Sequence, residues 1–394
     1  MEKKSPKPKL LVLLSRVPYP LDKGDKLRAY HQLKGLHERF EIILCCLYVG
    51  NIPNEAREKL EPLSDHLYFI PLSKAGIAWR VATNWWHKRP FQVAFFHSPK
   101  AQQELDKIIE KHLPHRFYCQ LIRVTEYARK YTIFGKTLDY MDALSIGMQR
   151  RYEQSSFLLR PLIREEAKRL ATYENQVFQD FEKKVIISEQ DRDHIAHHNT
   201  DEIDVIPNGI PVDYFEPRKE KQDVELLFTG NMAYPPNIEG AQYIVKKIMP
   251  LVWEKYPDTK VLISGKSPTM KVKMLAGKNV LVSGWVEDMR DSYARAKIFV
   301  APMVLGSGLQ NKLLEAMAME LPCITSPIAN RALGAKENEE ILIGTEPEEY
   351  AQHIIDLIEQ PEKQQKLAES GRKYVSQSFD WNHWNQRLAN IIQK

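Results

Sequence analysis

Residues 297–326 read KIFVAPMVLGSGLQNKLLEAMAMELPCITS. The run starts in an apolar segment, 297–303, and passes a serine flanked by Gly306 and Gly308. It then enters strong helix formers and ends in a second apolar segment, 322–327. A short apolar run, a turn, a helix-period stretch and another short apolar run make one βαβ unit, whose two strands lie parallel in one sheet. The same rhythm extends in both directions. Strand candidates fall at 10–15, 41–49, 66–72, 117–123, 136–142 and 184–189 in the first half. In the second they fall at 225–230, 260–265, 280–286, 297–303, 322–327 and 340–345. Such alternation predicts an α/β chain of two doubly wound parallel sheets with helices on both faces. Between the series lies PNGIPVDYFEPRKEKQD, 207–223, whose prolines, glycine and charges mark a domain boundary. The first domain is therefore placed at 1–215 and the second from 216. Two such domains in tandem are expected to enclose a cleft, with ligands beyond the carboxyl ends of the strands.

Composition narrows the function. The 394 residues are 43% hydrophobic and 27% charged, with a formal net charge of +5 spread along the chain. A nucleic-acid binder would concentrate basic residues in a stripe with interleaved aromatics, so no nucleic-acid partner is expected. Cys45, Cys46, Cys119 and Cys323 form no C-x-x-C pair and sit in strand-like runs, as buried thiols in a reducing compartment do. The apolar LLVLLS after the basic start falls short of a signal h-region of about 7–15 residues. No run approaches the roughly 18 apolar residues of a membrane span. A cytoplasmic location is expected.

The chemistry-bearing residues sit at strand-to-helix junctions. In 306–319, Gly306 and Gly308 allow a close backbone approach, and the helix that follows offers free N–H groups to an anion. Lys312 adds a full charge. Glu315, three residues on and on the same face, can accept two hydroxyl hydrogens from a vicinal diol such as ribose. Phosphate and sugar together are the chemistry of a nucleotide; a plain loop with an internal Lys–Glu pair is the bland alternative. GSGLQN departs from the dinucleotide fingerprint at Asn311, and SGKS at 264–267 has Lys260 where a P-loop needs its first glycine. His194, His197 and His198 have helical metal spacing without an accompanying carboxylate motif, and a solvated helix end accounts for them.

In 16–36, RVPYPLDKGDKLRAYHQLKGL, Gly24 and Asp25 open a helix among Lys23, Lys26 and Arg28. This loop could meet phosphate or sugar hydroxyls, or be a solvated basic turn. In LDYMDALS, 138–145, either Asp139 or Asp142 could act as a base or hydroxyl ligand while the other caps a helix, with Ser145 competing as the cap. Arg123 at the end of 117–123 is a further candidate. The segment 77–96, IAWRVATNWWHKRPFQVAFF, mixes three tryptophans with basic residues, which suits either a membrane interface or a core helix with basic flanks.

Several segments, taken in order, resemble the bacterial group 1 (family 4) glycosyltransferases of the GT-B fold. VIPNGIPVDYF (205–215) looks like the family's P-N-G-[IV]-D segment. LLFTGNMAYPPNIEGA (226–241) looks like its first strand and glycine loop. VLVSGWVEDMRDSYARAKIFVAPM (280–303) and NKLLEAMAMELPCITS (311–326) are similar to its base- and sugar-binding stretches. FDWNHWNQRLANII (379–392) resembles the C-terminal helix that crosses back onto the first domain, so 379–394 is assigned there and the second domain ends at 378. PYPxDKGD and DxxDALS are closest to a branch associated with exopolysaccharide loci.

The resemblance implies a hexosyltransferase-type enzyme that moves a sugar from a nucleotide-sugar to an acceptor hydroxyl with retention, in cell-surface polysaccharide biosynthesis. It implies no metal or other cofactor beyond the nucleotide-sugar co-substrate. The acceptor is a saccharide or lipid-linked saccharide, with peripheral contact at the inner membrane face. By the same resemblance Glu315 grips ribose, and the backbone of Gly308, Leu309, Gln310 and Asn311 touches sugar and phosphates. Trp285 and Val286 meet the base, and Gly24 and Asp25 fall on the first-domain glycine loop. Ser307 stands where the first glutamate of the family's Glu-x7-Glu is found. Asn231 follows Gly230, with Asn237 further on, in place of the usual phosphate-binding cations; Lys312 and Lys266 could supply that charge. Asp142 or Arg123 occupies the neighbourhood of the family's catalytic histidine. Two other readings stay open: a non-catalytic nucleotide-sugar-binding subunit, and a sugar-nucleotide epimerase of the same fold.

Overall fold

The computed structural model describes residues 6–153, 155–218, 220, 222–303 and 309–394. The chain divides into two compact units, 1–208 with 381–394 and 209–380. Unit 1 holds β1 (Lys9–Leu14), β2 (Glu41–Tyr48), β3 (His66–Pro71), β4 (Arg116–Gln120), β5 (Gly135–Met141), β6 (Lys183–Ile186) and β7 (Ile203–Val205). They form one sheet in the order β3-β2-β1-β4-β5-β6-β7, and every pair is parallel. β1 shows why these runs are continuously apolar. Leu11 and Leu13 pack into one core cluster and Leu10, Val12 and Leu14 into another, because helices cover both faces.

Unit 2 holds β8 (Val224–Thr229), β9 (Val261–Ser264), β10 (Val280–Gly284), β11 (Ala296–Ala301), β12 (Cys323–Thr325) and β13 (Leu342–Ile343). Their order is β10-β9-β8-β11-β12-β13, again parallel throughout. The order reverses between β8 and β11, which sets the switch point of a doubly wound sheet there. All four cysteines are free and buried.

Two details differ from the sequence reading. β7 was not among the strand candidates: only IDV pairs with β6, too short a run to show a period. Residues 209–215, and Phe379 and Asp380 at the other end, all placed in the first domain from the sequence, belong to unit 2. The Ile210 N–H donates to Phe379 O (2.7 Å) and its side chain packs in the unit 2 core. Among the described residues no helix is long and apolar enough to cross a membrane.

Candidate functional site

The candidate residues of unit 2 collect where β8, β9, β10 and β11 end. Gly230 follows β8 with φ 154°, and a Cβ there would lie 2.6 Å from Asn237 Nδ2. Gly265 follows β9 with φ 138°, and its Cβ would lie 1.9 Å from Gly230 O. Only glycine fits either place. Gly265 N–H donates to Gly284 O (3.1 Å) and Met232 N–H to Lys266 O (2.9 Å), so three successive loops lie edge to edge. Asn237 Nδ2 donates to Asn231 O (3.0 Å), which ties the helix after β8 to the same shelf.

The helix Asn311–Ala318 begins beside this shelf, with Gln310 preceding it and accepting the Leu313 N–H (2.9 Å). Leu309 packs against the unit 2 core. Lys312 Nζ donates to Asn237 Oδ1 (2.5 Å) and lies 4.6 Å from the Phe228 ring centroid. Glu315 Oε2 accepts from the Tyr293 hydroxyl (2.8 Å), which also lies 3.0 Å from Thr229 Oγ1. Tyr293 is fully buried and Glu315 half-buried. Burial pushes the Lys312 ammonium down to about 7 and the Glu315 carboxyl up to about 7. The Tyr293 hydrogen bond and the Lys312 charge pull Glu315 the other way. One cation and one carboxylate, a turn apart and each anchored by a neighbour from another element, can bind an anion and a diol together.

Trp285 and Val286 follow Gly284; Trp285 is 71% exposed and Val286 half-buried. The Lys266 side chain is half-exposed. Ser307 and Gly308 lie outside the described residues. Sequence reasoning missed Tyr293, Thr229 and Gly265. Tyr293 sits in DSYARA, whose pattern is that of any short amphipathic helix, and SGKS drew notice as a failed P-loop and for Lys266, not for its glycine.

The remaining candidates gather in unit 1, at the ends of β1, β4 and β5. Gly24 opens the helix Gly24–Leu36, where a Cβ would meet Met141 Cε at 3.5 Å. Asp25 pairs with Arg16 (2.8 Å), and Gln120 Nε2 donates to Asp25 O (3.1 Å). Arg16, Tyr19, Lys23 and Lys26 line a cavity of about 330 Å³ together with Tyr48 and Phe96. Arg123 donates twice to Gln92 Oε1 (3.0 and 2.7 Å). Burial, with Asp191 adding to it against the pull of Arg123, pushes the Asp142 carboxyl up to about 6. Asp142 Oδ1 has no hydrogen-bond partner among the described residues.

The two aspartates separate cleanly. Asp139 is wholly buried, with Oδ2 accepting from Arg28 (2.7 Å), Gln32 (3.0 Å) and Tyr118 (2.7 Å). It is a structural anion that joins β5, β4 and the first helix. Ser145 gives its N–H and hydroxyl to Glu174 (3.1 and 2.6 Å), so the carboxylate capping that turn comes from the helix Arg160–Phe178. Asp142 Oδ1, by contrast, accepts no hydrogen bond among the described residues. Among the described residues no group of three His, Cys, Asp or Glu side chains is placed to hold a metal ion.

Residues 223–360 match the family described as Glycosyl transferases group 1. Over 94% of its length the chain is 24% identical to an uncharacterized 44.6 kDa protein in the cps region of Klebsiella pneumoniae, covering 96% of that protein. It is 27% identical over 48% of its length to a GDP-mannose-dependent phosphatidylinositol monomannoside mannosyltransferase of Corynebacterium glutamicum, covering 55% of it. Its fold is shared with HepE from Anabaena, solved in complex with UDP-glucose: TM-score 0.68 at 14% identity, covering 98% of this chain and 99% of that one. The match of 223–360 to the group 1 model supports a sugar-transferase activity, and the two parallel Rossmann-like sheets, shared with HepE, are those of the GT-B fold.

Proposed function

We propose that the chain moves a sugar from a nucleotide-sugar donor to an acceptor hydroxyl, with retention, during assembly of a cell-surface polysaccharide. The observation that carries the donor assignment is the pair Lys312 and Glu315 at the sheet's switch point, with Glu315 anchored by Tyr293. The diphosphate leaving group gathers negative charge as the glycosidic bond breaks. The Lys312 ammonium and the first N–H groups of the helix Asn311–Ala318, with Lys266 nearby, offset that charge; no resident metal is needed in this reading. Glu315 takes the ribose diol, the Gly230–Asn231 turn and residues 307–311 take sugar and phosphates, and Trp285 and Val286 take the base. Asp142 receives the proton of the acceptor hydroxyl, with Arg123 favouring its charged form against burial and Asp191, and Gly24 and Asp25 completing that end of unit 1.

The UDP-glucose bound by HepE and the GDP-mannose dependence of the mannosyltransferase support a nucleoside diphosphate sugar. The cps-region relative supports polysaccharide assembly, with a saccharide or lipid-linked saccharide as acceptor. Calorimetry of UDP and GDP against the full chain and Glu315→Gln tests the site. A charge-assisted hydrogen bond is worth about 1.5–3 kcal/mol, so the variant should bind about 10- to 150-fold more weakly. Equal affinity in a folded variant would reject the assignment. The anomeric configuration of the product, read by NMR, tests retention.

A further inference from the structure

Two groups of large hydrophobic side chains stand exposed on unit 1, apart from the residues assigned above. Trp79 (69% exposed), Trp85 (57%) and Trp86 (80%) lie on and just after the helix Lys74–Thr83. Phe157 (83%), Leu158 (86%) and Leu159 (52%) occupy the turn between the helices Leu144–Glu153 and Arg160–Phe178, and Leu162 follows in the first turn of the second. Within 77–96, Ile77, Val93 and Phe96 join the unit 1 core, as a helix packed on the core with basic flanks requires, while the three tryptophans are left exposed. Only Ile77 of Lys74–Thr83 is buried, and the tryptophans face outward.

The helix Arg160–Phe178 connects the two groups. Arg169, on the helix Arg160–Phe178, donates to the main-chain oxygens of Asn84, Arg89 and Trp85 (each 3.3 Å) and lies 5.8 Å from the Trp85 ring centroid. One turn earlier Glu166 accepts the N–H groups of Phe91 (2.7 Å) and Gln92 (3.0 Å). Leu162, Glu166 and Arg169 recur along one side of that helix. At 1.5 Å per residue the turn at 157–159 therefore sits roughly 14 Å from the Trp85 anchor.

Charge accompanies the apolar groups. Residues 77–96 carry Arg80, Lys88 and Arg89 with no acid; Lys88 is exposed, while Arg89 pairs with Glu126 (2.8 Å) and Arg80 donates to the main-chain oxygens of Ala94 and Phe95. Arg150 and Arg151, near the end of the helix that leads into the 157–159 turn, are exposed and make no ion pair among the described residues. Clustered exposed apolar side chains gain nothing for folding and mark a contact surface. Tryptophans beside cations and a greasy tip fit an interface that is apolar below and anionic above. We propose that this face of unit 1 docks on an anionic bilayer: 157–159 enters below the headgroups, the tryptophans sit at their level, and the cations meet lipid phosphates. The proposal deepens the lipid-linked acceptor suggested above, yet its test needs neither donor nor turnover, so its failure leaves the donor site untouched.

The test floats the full chain, without nucleotide, on vesicles of phosphatidylcholine alone or mixed with phosphatidylglycerol. The chain should rise with the mixed vesicles, stay behind with the neutral ones, and release at about 0.5 M salt, where screening is nearly complete. Phe157→Ser with Leu158→Ser should lower the bound fraction at least about tenfold, since two apolar side chains no longer enter the bilayer. The calorimetric UDP or GDP response of this variant should stay unchanged. Arg150→Ala with Arg151→Ala should weaken binding at low salt only. Absence of flotation, equal flotation of the serine variant, or equal binding to neutral vesicles would overturn the proposal. So would light scattering showing that the tip instead joins two copies of the chain.

Discussion

At the residue scale, two buried ionisable groups give opposite pH signatures. Burial lowers Lys312 from its ordinary 10.5 to about 7, so at pH 8 the empty site holds mostly the neutral amine. A bound diphosphate favours the ammonium, and binding at pH 8 must draw close to one proton from solution. Calorimetry in two buffers of different ionisation enthalpy should then return different heats for UDP or GDP. The difference should fade below pH 7, where Lys312 is already charged, and vanish in Lys312→Met; identical heats at pH 8 in the wild type would refute this. Asp142 works the other way. Its native carboxyl keeps a proton up to about pH 6, whereas the unfolded chain releases it near 3.8, so stability falls as pH rises between these values and the cost is complete above 6. Asp142→Asn should therefore melt higher than wild type at pH 8 and together with it near pH 4. Sugar transfer should drop by about 10²- to 10⁴-fold, the usual contribution of a proton-transfer group. A variant that melts no higher at pH 8 would remove the idea of a strained, functional carboxylate.

At the scale of elements, the site is a stack of strand-to-helix loops whose spacing is set by backbone contact. Gly265→Ala would drive a Cβ into Gly230 O at 1.9 Å, in a conformation that L side chains avoid. A loss of about 4 kcal/mol or more, together with loss of nucleotide binding, is expected, while Gly277→Ala, with open space around it, should be silent. Denaturant unfolding followed by calorimetry checks both. This contact also shows what could and could not be read in the sequence. β1, β2, β8 and β11 were legible because a parallel strand covered on both faces must be apolar throughout, and each run ends in turn residues. Lys312 and Glu315 were legible because their proximity is local, one helical turn. The Gly265–Gly230 approach joins residues 35 positions apart, and Tyr293 reaches Glu315 from another helix; nothing in a linear pattern reports such pairs. Asp139 and Asp142 looked equivalent for the same reason: Arg28, which claims Asp139, lies 111 residues away.

On the scale of the whole molecule, the chain leaves unit 1 at Asn208 and returns at Trp381, so unit 1 is completed only by the last residues. The helix Trp381–Gln393 lies against Gly24–Leu36. Trp381 stacks on His31 with ring centroids 5.2 Å apart, Asn385 Nδ2 donates to His31 O (2.9 Å), and a Cβ on Gly35 would lie 2.4 Å from Asn385 Cβ. Leu388 and Ile392 are wholly buried in the cluster that also holds Leu33, Leu36 and the strand residues Leu10, Val12 and Leu14. Each such side chain contributes about 1.5–3 kcal/mol by leaving water, so ending the chain at Asp380 should cost unit 1 at least about 3–6 kcal/mol. The loss should be confined. Hydrogen exchange should speed up in β1, β2 and Gly24–Leu36, while β8 to β11 keep their protection, because their core contains no residue from 381–394. Calorimetric UDP or GDP binding, which the donor assignment places on unit 2 alone, should survive the truncation even as sugar transfer is lost. Unchanged exchange in Gly24–Leu36 would mean that the returning helix is an ornament on unit 1 rather than part of its core.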